Sequence, residues 1–95
     1  MAELTGFVQQ VKYDPALDAA LVWVGPTRAD TVLCYVRITA NDDERAALVK
    51  ISMIDGLTGA MLGGRSVTLS TDDANPSSIE SVAIHPVTLG EDAPA

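Results

Sequence analysis

The chain has little of what most active sites are built from. Its 95 residues include one cysteine, Cys34, and one histidine, His85. A single thiol forms no internal disulfide. One imidazole among dispersed carboxylates does not supply the three or four converging ligands a metal needs, so we expect no metal and no cofactor. Basic residues are scarce, with six Lys and Arg against thirteen Asp and Glu and a net charge of −7. Lys12, Arg28, Arg37, Arg45, Lys50 and Arg65 are scattered singly. No basic stripe displaces counterions from a phosphate backbone, which disfavours nucleic-acid binding, and acidity is a poor match for an anionic membrane. The longest apolar run, Ile51–Gly64, carries Asp55 and is too short to span a bilayer. No basic segment precedes an apolar stretch at the start, so the sequence reads as cytoplasmic. Aromatics make up only 4% of the chain, with a single Trp, which makes the place of each informative.

Apolar residues, in contrast, reach 47%. That is enough for one packed core in a chain of this length. We expect a domain over residues 4–86 and an acidic C-terminal tail over 87–95. Leu4–Tyr13 reads as a strand, although Val8 and Val11 have opposite parity. Gly6 and the Gln9-Gln10 pair there mark a bend or bulge. Asp14–Asp18 is a turn around Pro15. Ala19–Val24 is a second strand stopped by Gly25-Pro26, and Thr31–Ile38 is a third. A helix is expected from Asn41, as N-cap with Glu44 three residues on, to Gly63-Gly64, as a left-handed cap. Ala47, Ile51, Ile54, Leu57 and Met61 form one apolar stripe along it, and Val49, Met53 and Ala60 form another. Ser66–Ser70 and Ser78–His85 follow as strands around a polar turn at Thr71–Ser77.

Three strands, a helix and two strands is the order of a five-stranded antiparallel Greek-key barrel of the OB type. The stretches Gly6–Tyr13, Ala46–Leu62, Gly63–Leu69 and Ser78–Pro86 resemble small bacterial OB-fold domains, in particular the receptor-binding B subunits of cholera-type toxins. The resemblance implies subunits that assemble into a ring along a helix, with strand loops that hold sugars. The chain departs from those subunits in lacking a disulfide pair.

Catalytic signals are thin. Gly59–Ser66 approximates a phosphate loop, but Arg65 replaces its lysine. A helix closes there, where a phosphate loop would open one. His85 is the natural general base, yet no nucleophile motif accompanies it. A small hydrolase using His85 is the least favoured reading, and the chain reads as a non-enzyme with no catalytic residue. Asp42-Asp43-Glu44 and Asp72-Asp73 lack the calcium-loop pattern.

The better signal is a surface. On the second and third strands Ala20, Val22, Val24, Val32, Cys34, Val36 and Ile38 share the parity expected to face inward. Leu21, Trp23, Leu33, Tyr35 and Arg37 then face outward, a mixture typical of contact hot spots. We expect a non-catalytic binding or assembly module. It would self-associate through that outer face or through the helix face at Val49, Met53 and Ala60. The alternative is an oligosaccharide-binding module, with Trp23 or Tyr35 stacking on a sugar and Arg28 or Asp30 bonding its hydroxyls.

Overall fold

The computed structural model of the chain describes residues 2–86. The expected tail at 87–95 lies outside the described residues. Alternation of apolar and polar residues builds five strands, and one apolar segment of period near 3.6 builds the helix between the third and fourth. In chain order they are β1 (Ala2–Asp14), β2 (Ala19–Thr27), β3 (Asp30–Arg37), α1 (Glu44–Gly63), β4 (Ser66–Thr71) and β5 (Ile79–Ile84). The strands form one open sheet in the order β3-β2-β1-β4-β5, and neighbours are antiparallel. The two edges approach at a parallel bridge between Tyr35 and Ser78, where the Tyr35 N–H donates to the Ser77 carbonyl at 2.8 Å.

The parity conflict in β1 resolves at a bulge. Val8 pairs with Val24 and Gln10 with Trp23, so Gln9 is left without a cross-strand partner. The inserted residue returns Val11 to the face of Val8, and both pack on the core. The Gly25-Pro26 pair predicts a stop, but β2 runs through it because its register with β3 shifts between Val24 and Thr27. The backbone passes so close there that a Cβ on Gly25 would lie 1.9 Å from the Asp30 carbonyl oxygen. Only glycine fits that crossing.

The helix begins two residues later than an N-cap at Asn41 would place it. Asp43, not Asn41, is the N-cap: its Oδ1 accepts the Ala46 N–H at 2.7 Å. Asp42 is occupied elsewhere, accepting the Thr39 N–H at 2.9 Å and the Lys50 ammonium at 2.8 Å. Lys50 also donates to the Arg37 carbonyl at 2.7 Å, tying α1 to the end of β3. The C-terminus closes as expected. Gly64 is left-handed at φ 67°, and the Arg65 N–H reaches the Ala60 carbonyl at 2.9 Å.

The core lies between the sheet and α1. Val22, Val24, Cys34, Val36, Val67 and Leu69 from the strands are sealed from water, with Leu57 and Ala60 from the helix. Met53, Ile54 and Met61 pack against them, half-buried. The inward face of α1 is therefore Met53, Ile54, Leu57, Ala60 and Met61. Two expectations change. Ile51, placed on the buried stripe, is 45% exposed, and Ala60, placed on a contact face, is 2% exposed. The helix is rotated so that the core stripe draws on both expected stripes. On β3, Val32 has inward parity but is exposed, and Ile38 is half-buried beyond the strand's end. Both sit at the ends of an edge strand, past the reach of the core.

Candidate functional site

The β2–β3 hairpin turns the expected set outward. Leu21 pairs with Tyr35, Trp23 with Leu33 and Ala19 with Arg37 across the ladder. Leu21, Trp23 and Tyr35 are half-buried, whereas Leu33 and Arg37 are exposed. They do not make one site. Leu21, Tyr35 and Arg37 line a shallow hollow of about 210 Å³ with Leu17 and Ala19. The Tyr35 hydroxyl is taken up by the Asn75 side-chain amide of the β4–β5 turn. Trp23 lines a separate hollow of about 360 Å³ with Gln9, Gln10, Arg28 and Thr31. The β1 bulge delivers the two glutamines and the β2–β3 turn delivers Arg28. Gln9 is anchored by donating to the Gly25 carbonyl at 3.1 Å, which keeps its side-chain oxygen available. Arg28 has no ion pair with a described residue. Asp30 and Tyr35 line no part of this hollow.

A larger trough runs between α1 and the edge strand β5. Its apolar floor is Leu48, Val49 and Met53 of the helix with Val82 and Ile84 of the strand, and it encloses about 540 Å³. It continues past Arg45 and Val49 into a second hollow of about 610 Å³ that reaches Lys50, Ile79 and Glu80. Val49 and Met53 thus sit where a contact face was expected, and Ala60 does not join them. The side chains that the two-stripe reading missed are Leu48, Leu62 and Ile84. Leu62 is 79% exposed and Leu48 58%. A helical projection centred on Leu57 would have found Leu48 and Leu62, since both fall opposite it. α1 is also long and apolar enough, by length and composition, to cross a membrane, and only 11% of that stretch is buried. The run Ile51–Gly64 alone is too short for that, and the length comes from the helix starting at Glu44.

The remaining chemistry is sparse. The His85 ring Nε2 and the Thr68 hydroxyl are 2.8 Å apart, and Thr68 meets the Thr5 hydroxyl at 2.9 Å. A hydroxyl beside an imidazole is the first requirement of a nucleophile and base. Here no described group orients the other ring nitrogen, and neither residue lines the hollows above. Cys34 is buried, and burial pushes its thiol pKa up, away from the reactive thiolate. Asp42 titrates below the usual carboxylate range because Lys50 and the Thr39 amide bond its charged form. Among the described residues no three His, Cys, Asp or Glu side chains converge as a metal site would need. Gly59–Ser66, the approximate phosphate loop, spans the end of α1 and the start of β4.

No protein-family model matches this chain, and neither does any curated protein or solved structure.

Proposed function

We propose that the chain is a non-catalytic assembly module with an OB-type arrangement, which associates with copies of itself through the outer side of α1 and the adjoining β5. The strand order and the bridge between β3 and the segment ahead of β5 support the OB reading, since that contact brings the free edges of the open sheet together. One observation carries the assembly reading: a 20-residue helix turns Leu48, Val49, Ile51 and Leu62 to water. Burying such side chains is worth about 1.5–3 kcal/mol each when complete, and folding of one copy leaves most of it unrealised. The test is the mass of the full chain in solution by light scattering over a concentration series. The expected result is a mass above the 9.9 kDa of one copy, returned to that value by Leu48→Glu. A mass of one copy at the highest attainable concentration would overturn the proposal.

A second reading, a sugar-binding module, has its own observation. The indole of Trp23 shares a hollow with Gln9, Gln10, Arg28 and Thr31. An aromatic face ringed by amides, a guanidinium and a hydroxyl suits a pyranose, which has apolar faces and polar edges. It predicts a saturable change in Trp fluorescence on a glycan panel, lost in Arg28→Ala without a change in mass. A silent panel would remove this reading.

A further inference from the structure

Resting on the sugar-binding reading, we infer that the Trp23 hollow takes an acidic saccharide, a hexuronate whose ring lies on the indole and whose carboxylate meets Arg28. The first ground is how the hollow is built. Gln10 of β1 stands opposite Trp23 of β2, and Thr31 of β3 is two residues from Leu33, which also pairs with Trp23. Directly paired residues share a face, and so do residues two apart on a strand. Gln10, Trp23 and Thr31 therefore stand on the outer face of three paired strands. The ladder sets their spacing before any ligand arrives. The hollow, at about 360 Å³, lies at the small end of the range for ligand sites, about 300–1,000 Å³. It suits a single ring rather than a long chain of them.

The second ground is charge. Thirteen Asp and Glu residues are spread over the chain, yet among the described residues none lines this hollow, and Arg28 is its one charged side chain. The trough along α1, by contrast, mixes Glu44 with Arg45, and its continuation mixes Asp43 and Glu80 with Arg45 and Lys50. A guanidinium is a planar fork of donors with no acceptor, and it matches one carboxylate at two points. A phosphate carries more charge and three strong acceptor oxygens, more than a lone guanidinium satisfies. Charge therefore selects a single carboxylate.

The third ground is the balance of donors and acceptors. The Gln9 amide nitrogen donates to the Gly25 carbonyl at 3.1 Å. That carbonyl fixes the orientation of the amide, since the reverse would set two acceptors together. Oε1 of Gln9 is left to accept, in a hollow that also holds the Thr31 hydroxyl and the Gln10 amide. A ligand that satisfies them brings O–H donors, and the indole offers an apolar surface to the C–H face of a ring. A hexuronate carries hydroxyls, a carboxylate and an apolar face on one ring. A neutral sugar leaves Arg28 unmatched, and a simple cyclic acid leaves Gln9 unmatched.

The experiment uses the full chain, whose single Trp makes indole fluorescence a report on this hollow alone. Sodium glucuronate, glucose and cyclohexanecarboxylate are titrated separately at one ionic strength, held with sodium chloride. Glucuronate should give a saturable change with a dissociation constant at least about threefold below that of glucose, as a bidentate ion pair at a partly exposed site would give. Arg28→Ala should weaken glucuronate to within about twofold of glucose. Arg28 is exposed and lies in a turn, so this variant should keep its fold by circular dichroism. A smaller ratio in the parent chain, or a ratio that Arg28→Ala leaves unchanged, would overturn the acidic class while sparing the sugar reading. Cyclohexanecarboxylate that binds as tightly as glucuronate would overturn the saccharide, because a ring and a carboxylate would then suffice. Silence with both sugars would remove the sugar reading and this inference together.

Discussion

Two leucines on one helix, Leu57 and Leu62, should respond in opposite ways to truncation. Leu57 is fully buried among Val22, Val36, Val67 and Leu69, whereas Leu62 is 79% exposed. Leu57→Ala removes about three methylene equivalents at ~0.8 kcal/mol each. The cavity left behind adds to that, giving about 3–4 kcal/mol, within the range for buried leucines. A chain of this length is stable by only about 5–14 kcal/mol, so the loss is a large share. At 4–8 °C for each kcal/mol it lowers the melting temperature by about 12–32 °C. Leucine and alanine have similar helix propensity, so Leu62→Ala should stay within about 0.5 kcal/mol of the parent. The assay is urea unfolding followed by circular dichroism, at a protein concentration low enough that association adds nothing to the folded state. Equal losses at the two positions, or a larger loss at Leu62, would refute the helix orientation on which the exposed face depends.

Three other outcomes follow from local contacts. Asp43→Ala removes the N-cap acceptor of the Ala46 amide and should cost about 1 kcal/mol in the same urea titration; an unchanged midpoint would place the helix start elsewhere. Asp42 has a lowered pKa in the folded chain, so its contribution is present above the ordinary carboxylate value and is lost as pH falls through the folded one. Asp42→Asn should therefore flatten the acid limb of a stability–pH profile below about pH 4, and an unchanged limb would contradict that. The Cys34 thiol is raised by burial, so its contribution is intact below the ordinary thiol pKa and fades as pH rises beyond it. A thiol reagent should label Cys34 at the rate of unfolding in native conditions and at once in denaturant; rapid native labelling would show an accessible thiol.

Period-2 patterning made the strands legible, and the buried set Val22, Val24, Cys34 and Val36 followed from parity alone. The bulge was legible as a defect, because Val8 and Val11 could share a face only if one residue were inserted between them. The passage of β2 through Gly25-Pro26 was not, since a Gly-Pro pair is ordinarily a stop and only the nearby Asp30 backbone shows why glycine stands there. The helix was legible in its existence and its C-terminal cap, but not in its rotation. Nearly every position of α1 is small or apolar, so several stripes compete, and the sheet decides among them by taking Leu57 and Ala60. Asn41, Asp42 and Asp43 are all good caps, and the ion pair of Asp42 with Lys50, eight residues away, settles which one serves. The outward residues of the hairpin kept their expected parity. Their division between two hollows depends on Gln9, Gln10 and Arg28, which come from a bulge and a turn that sequence spacing does not bring together.

Sedimentation of the full chain across concentration and ionic strength tests self-association through the apolar outer side of α1 most directly. Salt screens repulsion between copies carrying −7 each and leaves burial of Leu48 and Leu62 untouched. The account predicts an associated species, heavier than one copy, whose dissociation constant falls as salt rises and which Leu48→Glu abolishes. One copy under every condition, or an association that salt dissolves, would contradict it.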